Sequence, residues 1–341
     1  MNSSILVCRA IAPEVIARLR QHFVVETNDT DEVWSQEHLI RRLRGKVGAF
    51  TTTSERIDGR VLAACPSLRI CANMAVGHDN FDVDAMTARG VLATNAPDVL
   101  TETTADLGFA LLMAAARRIS DSERFLRAGK WNKWSYDMFC GPDIHGSTLG
   151  IVGMGRIGQA IARRGAHGFR MRVIYHNRTR LASAIEAECN ASFAGMRDLL
   201  QAADHVVVVV PLTAETRHAI GAPELRLLKK SATLVNIGRG GVVDDAALAA
   251  ALQAGQIAGA GLDVYEGEPA VHPDLLRAPN VVLTPHIGSA STATRLAMAD
   301  LAARNLIGFL VNGQAITPIN PQATRQLATD AFPTPTNQHS T

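Results

Sequence analysis

Thr148-Leu149-Gly150-Ile151-Val152-Gly153-Met154-Gly155-Arg156-Ile157-Gly158 joins an apolar run to a glycine turn near the middle of the chain. The run has the continuous apolar character of a strand covered on both faces. Residues 159–166 read on as a helix and residues 171–175 as the next strand. In that strand-turn-helix-strand setting, a GxGxxG turn brings backbone N–H groups and a helix N-terminus up to a pyrophosphate. The spacing therefore predicts a bound dinucleotide. Taken alone, the motif also fits an ordinary tight turn under an α/β sheet that binds nothing, so its surroundings must decide.

Outward from the turn, short apolar runs alternate with alanine-rich helical stretches in two successive series. Strands are expected at 5–8, 47–50, 68–72 and 91–94, then from Leu149 through 171–175, 205–210, 234–237, 259–263 and 281–284. Residues 101–120 place Leu107, Ala110, Leu111 and Ala114 at helical spacing and predict one helix at the junction of the series. Residues 291–310 predict another, long enough to return the chain to the first series. The expectation is an α/β chain with a discontinuous first domain (1–100 and 287–321) and a cofactor domain (101–286). A polar tail with Pro333 and Pro335 occupies 322–341.

A chain of 341 residues, 47% hydrophobic, suffices for two such cores. A net charge of +2 with dispersed arginines provides no footprint for nucleic acid. Cys8, Cys65, Cys71, Cys140 and Cys189 lack CxxC spacing and disulfide density, which points to reduced thiols and a cytoplasmic setting. Met1–Cys8 lacks a leader pattern, and no stretch approaches the roughly 20 apolar residues of a membrane span. The 11 histidines include no HExxH, so no metal is expected.

Three polar clusters follow later strands of the second series: Asn236-Ile237-Gly238-Arg239-Gly240, Asp263-Val264-Tyr265-Glu266-Gly267-Glu268-Pro269 and Pro285-His286-Ile287-Gly288-Ser289. In an open parallel sheet, strand ends of this kind face the ligand crevice. Together with Ala75-Val76-Gly77-His78-Asp79, Ala96-Pro97, Ala105-Asp106-Leu107 and the glycine turn, their order resembles the D-isomer-specific 2-hydroxyacid dehydrogenase family. The similarity runs from about Val47 through Asn320 and is greatest to the glyoxylate, hydroxypyruvate and 2-ketogluconate reductase branch.

The resemblance implies a Rossmann cofactor domain, a flavodoxin-like substrate domain, an active cleft between them and a homodimer. It assigns catalysis to Arg239, Glu268 and His286. The chemistry of those side chains agrees: a guanidinium forks onto a 2-oxo acid's carboxylate and polarises its carbonyl, and histidine exchanges a proton near neutral pH. Glu268 would orient the imidazole. Read singly, Arg239 also fits a salt bridge, and Glu268 and His286 fit satisfied structural groups. Glu266 is a decoy, since Glu268 is the carboxylate that precedes Pro269. The resemblance places the acid's carboxylate on the N–H groups of Val76 and Gly77, which otherwise form a plain turn. Thr52 and Thr53 are weaker pocket candidates. Trp131 and Trp134 serve either a pocket or packing at a core or interface.

For the cofactor, the resemblance names Gly153, Gly155, Arg156, Ile157, Gly158, Val210, Pro211, Thr216, Ile237, Gly238, Arg239, Asp263, His286 and Gly288. After the second strand of that fold stands His176-Asn177-Arg178-Thr179-Arg180, without the carboxylate that an NAD enzyme presents to the ribose. Asn177 would bond to the ribose, while Arg178, reinforced by Arg180, would attract the 2′-phosphate of NADP. NADPH is the expected cofactor, with NADH possible, unless these arginines are only a solvated surface. The expected reaction is reduction of a small 2-oxo acid to its D-2-hydroxy acid. The alternative is a dinucleotide-regulated interaction protein, like the transcriptional corepressors that share this fold.

Overall fold

Alternate residues of the first strands bury toward opposite sides, which is why a sheet with two covered faces forms. The computed structural model describes residues 3–323, so the expected tail falls outside the described residues from 324 onward. Two compact units divide the chain: the residues up to Leu100 with those from Ser291 onward, and Thr101–Ala290.

The first unit contains β1 (Ser4–Val7), β2 (Val24–Thr27), β3 (Gly48–Thr51), β4 (Ile70–Asn73) and β5 (Leu92–Thr94), in parallel order β2-β1-β3-β4-β5. That is the flavodoxin-like order. Leu6, Ala49, Cys71 and Ala93 pack into one core, while Ile5, Val7, Phe50, Ile70 and Leu92 pack into the other. The second core is closed by helix Thr292–Asn312, whose Ala299, Ala302, Ala303, Leu306 and Phe309 lie against those strands. Ser291 Oγ caps this helix by accepting from Thr294 N–H at 3.2 Å, and Gly313 ends it at φ +76°. The chain then runs antiparallel beside β5, with Ile319 N–H donating to Ala93 O at 2.8 Å and Ala93 N–H to Asn320 Oδ1 at 2.7 Å. The edge strand is thereby covered.

The second unit holds β6 (Thr148–Val152), β7 (Arg172–His176), β8 (Ala191–Phe193), β9 (His205–Val208), β10 (Thr233–Asn236), β11 (Gly259–Leu262) and β12 (Val281–Leu283). Their order is β12-β11-β10-β9-β6-β7-β8, and every pairing is parallel. Chain direction across the sheet reverses at β6, the Rossmann switch point beside which ligands bind at the carboxyl ends of the strands. The same alternation divides Val206, Val208 and Leu234 from Leu149, Ile151, Val207 and Val235.

Three boundaries differ from those expected. The junction helix spans Thr101–Ala116 rather than 101–120, because Arg118 adopts φ +52° and a separate helix, Ile119–Arg127, starts after it. The helix after the glycine turn is Arg156–Arg163, and the chain then widens into a π turn over Arg164–Gly168. The cofactor unit extends past His286 to Ala290, because the Asp263 carboxylate anchors Ile287 and Gly288 by their N–H groups, each at 2.8 Å.

Candidate active site

Turns after β10, β11 and β12 bring Arg239, Glu268 and His286 into one constellation. Asn236, buried at the end of β10, closes the first turn: its Oδ1 accepts from Gly238 N–H and its Nδ2 donates to Arg239 O, both at 3.1 Å. Arg239 donates from Nη1 to Gly238 O at 2.8 Å. In the second turn, Tyr265 N–H donates to Glu268 Oε1 at 2.9 Å, while Glu268 Oε2 meets His286 Nδ1 at 2.7 Å. Burial pushes the Glu268 carboxyl up, but the His286 hydrogen bond and charge, the Tyr265 N–H and Arg239 together hold it below the usual carboxylate range.

His286 itself sits at φ +52°, a conformation that needs outside support. Buried Asp263 supplies it. His286 N–H donates to Asp263 O at 3.0 Å, and the Asp263 carboxylate accepts from Thr284 Oγ1 at 2.7 Å as well as from Ile287 and Gly288. With Nδ1 engaged by Glu268, Nε2 is the ring nitrogen that has no partner among the described residues. Glu266 faces elsewhere, pairing with Arg217 and, at 2.9 Å, with His218 Nε2.

At the glycine turn, Gly158 packs against the strand end so closely that a Cβ would stand 2.2 Å from Gly153 O. Gly155 is the N-cap of helix Arg156–Arg163 and offers no side chain of its own, so an anion can approach that helix end along the backbone. Val210 lies against both Gly153 and Gly238, and Thr216 Oγ1 donates to Pro211 O at 2.7 Å. Ile237 packs on Gly108 of the junction helix. Beyond β7, Asn177 Oδ1 accepts from Met154 N–H at 2.7 Å, which ties the residue at the expected ribose position to the glycine turn. Arg178 is exposed and makes no ion pair among the described residues. Arg180 is committed to Glu186 through two 2.9 Å hydrogen bonds, so the structure separates it from the field expected around Arg178.

In the first unit, Thr52 and Thr53 follow β3, and Val76 and Gly77 follow β4, the strand paired with it. Side-chain amides stitch the two loops. Asn80 Nδ2 donates to Thr52 O and Glu55 O at 2.9 Å each, and Asn73 Nδ2 donates to Gly77 O at 3.0 Å. Glu55, buried, accepts from Thr52 N–H at 2.6 Å; burial holds its carboxyl above the usual range despite that bond. None of these supporting residues is legible beforehand, because their partners are backbone groups whose directions depend on the fold. Trp131, Trp134 and Tyr136 are 56%, 73% and 88% exposed after helix Ile119–Arg127. A cavity of about 310 Å³, lined by Arg118, Cys140, Lys230 and Asn280, lies at the amino ends of the strands and away from this chemistry. Among the described residues no cluster of His, Cys, Asp and Glu is arranged to hold a metal, and no helix is long and apolar enough to cross a membrane.

The family described as "D-isomer specific 2-hydroxyacid dehydrogenase, NAD binding domain" matches residues 109–288. A glyoxylate reductase of Thermococcus onnurineus is 50% identical over 313 residues, 91% of this chain and 93% of the relative. The chain belongs to the D-isomer-specific 2-hydroxyacid dehydrogenase family. It is an NAD(P)-dependent dehydrogenase of the glyoxylate/hydroxypyruvate reductase branch. Among solved structures, an NADPH-dependent glyoxylate/hydroxypyruvate reductase of Sinorhizobium meliloti, in complex with NADP and malonate, has a TM-score of 0.82 at 38% identity. The match covers 95% of this chain and 98% of that one. A glyoxylate reductase of Paecilomyes thermophila has a TM-score of 0.84 at 32% identity over 94% and 99% of the two chains.

Proposed function

We propose that this dehydrogenase reduces a small 2-oxo acid to its D-2-hydroxy acid, with glyoxylate, hydroxypyruvate and 2-ketogluconate as candidate substrates and NADPH preferred over NADH. The observation that carries this reading is the Glu268–His286 contact of 2.7 Å, which leaves Nε2 of the imidazole as the proton-carrying nitrogen. The residues present fit a dinucleotide, since the Gly158 approach leaves room for backbone alone between strand end and helix. When bound, the nicotinamide supplies hydride to C2 of the acid.

The chain's own groups do the rest. Arg239 forks onto the substrate carboxylate and polarises the adjacent carbonyl. His286 Nε2 protonates the carbonyl oxygen as charge develops there, and takes that proton back in the oxidative direction. Glu268 holds the ring so that Nε2 faces the reacting oxygen and stabilises the charge that the ring carries. Val76 and Gly77 are assigned to the carboxylate through their N–H groups. Arg178 is assigned to the 2′-phosphate, with Asn177 beside it. The Sinorhizobium meliloti relative, named as NADPH-dependent and bound to NADP, supports that cofactor.

The reading extends to a homodimer in the cytoplasm. Trp131, Trp134 and Tyr136 are apolar surface that a second copy would cover, and five unpaired cysteines suit a reducing compartment. The test is kcat/KM for glyoxylate, hydroxypyruvate, pyruvate and 2-ketogluconate with both cofactors, checking the configuration of the product. Arg239→Ala should lower kcat/KM by about a hundredfold or more, the scale of a lost charged contact at a reacting carbonyl. Near-wild-type kinetics of Arg239→Ala across the panel would refute its role.

A further inference from the structure

The turn after β4 presents two successive N–H groups, those of Val76 and Gly77, that have no acceptor among the described residues. What aims them lies on the opposite side of their peptides. A trans peptide is planar, with its C=O and N–H pointing in opposite directions, so an anchor on one carbonyl fixes the N–H of the next residue. Ala75 O accepts from Ala96 N–H at 2.8 Å, which orients the N–H of Val76. Val76 O accepts from Asn95 Nδ2 at 2.7 Å, which orients the N–H of Gly77. The two anchors are consecutive residues. Both carbonyls are therefore drawn toward the 95–96 segment and both N–H groups are turned away from it, an arrangement suited to an anion.

Asn95 is braced in turn. Its carbonyl accepts from Thr317 Oγ1 at 2.6 Å, and its N–H donates to Thr317 O at 3.4 Å. Thr317 is held by the fully buried Asn305 of helix Thr292–Asn312, which donates to Thr317 Oγ1 at 2.8 Å and accepts from Thr317 N–H at 3.0 Å. The returning C-terminal segment thus supports a side chain just after β5 that bonds the turn directly. Asn73 fixes the far end of the same turn by donating to Gly77 O at 3.0 Å.

We propose that Asn95 is a positioning residue for the substrate carboxylate: its side-chain amide fixes the Val76–Gly77 peptide so that the N–H of Gly77 faces the acid. The inference rests on the assignment of Val76 and Gly77 to the carboxylate. Asn95→Asp keeps the shape of the side chain but replaces the donor by an acceptor, which repels Val76 O and releases the peptide. Asn95→Ser is neutral and too short to reach, so it separates loss of the donor from added charge. A contact of equal strength in the ground and transition states acts on KM alone. Both variants should therefore raise KM for glyoxylate by about tenfold or more, leave kcat within about threefold and leave the NADPH KM unchanged. The inhibition constant of oxamate, an unreactive carboxylate, should rise in parallel.

Folding of each variant is checked by thermal melting; if Asn95→Asp is unfolded, Asn95→Ser decides. An unchanged glyoxylate KM in a folded variant, or an equal rise of the NADPH KM, overturns the positioning role. A crystal structure of the wild-type protein with NADP and oxamate tests the underlying assignment. Oxamate seated away from Val76 and Gly77 removes that assignment and the inference with it. Oxamate on those N–H groups, combined with unaltered kinetics of both variants, removes only the role of Asn95.

Discussion

Arg178 and Arg180 share a charge and a loop, yet their surroundings divide them. Arg180 is spent on Glu186, which also accepts from Tyr175 Oη at 2.7 Å, so it belongs to the local structure of the loop. Arg178 makes no such hydrogen-bonded pair and feels Glu215 only at longer range, and Asn177 beside it is oriented by Met154 N–H. A guanidinium at this position suits a phosphate monoester better than a ribose hydroxyl pair. Arg178→Ala should therefore lower kcat/KM for NADPH by roughly 1.5 to 3 kcal/mol, about ten- to a hundredfold, and affect NADH much less. Measuring both cofactors at saturating 2-oxo acid checks this, and an unchanged NADPH-to-NADH ratio in the folded variant would contradict it. The motif shows which residues could meet the phosphate; that one of the two arginines is already paired depends on Glu186, which no motif singles out.

At the scale of elements, the glycines reveal how the strand-end turns are assembled. A Cβ on Gly240 would stand 1.7 Å from Tyr265 O and 2.0 Å from Tyr265 C, so the turn after β10 rests directly on the backbone of the turn after β11. That second turn carries Glu268 on the N–H of Tyr265. Gly240→Ala must force the turns apart, at a cost of about 1–3 kcal/mol for overpacking, and should lower kcat/KM by roughly tenfold or more as Glu268 shifts from His286. Gly59, where a Cβ meets nothing within 4 Å, provides the control: Gly59→Ala should keep both melting temperature and turnover. Equal behaviour of the two variants would show that the turns are not in register with each other. The buried strands were readable because each is a continuous apolar run. Strands β2 and β8 lack such a run of buried residues: Val24 is exposed, and β8 buries only Ala191. The alanine-rich pattern of the junction helix runs on past its end because it does not register one left-handed residue, Arg118.

Across the whole molecule, the division into a glycine-turn sheet and a flavodoxin-like sheet follows from apolar runs and their spacing, but the polar groups that lock the strands do not. His205 is one of these: fully buried at the start of β9, it meets Thr233 Oγ1 at 2.7 Å through Nδ1 and Asp143 O at 3.1 Å through Nε2. A carbonyl can only accept, so Nε2 carries the hydrogen and Nδ1 accepts from the Thr233 hydroxyl, which is the neutral ring. Burial pushes the imidazole below its ordinary range, against the opposing pull of Asp143 O and the charge of Asp204. The unfolded chain takes up this proton near pH 6.5 by ordinary histidine behaviour, whereas the folded chain takes it up only at lower pH. Below that ordinary value the unfolded state binds more protons, and stability must fall with pH; above it, this contribution is fully present. Urea denaturation at a series of pH values between about 7.5 and 5.5 should show the decline in the wild-type protein. His205→Gln should be less stable at the upper end, by roughly 1–3 kcal/mol for its disrupted buried hydrogen bonds, and should lose stability less steeply toward the lower end. Other carboxylates and histidines contribute the same slope to both proteins, so the difference between the curves isolates this ring. Parallel curves for the two proteins would mean that His205 is protonated as readily in the folded chain as in the unfolded one.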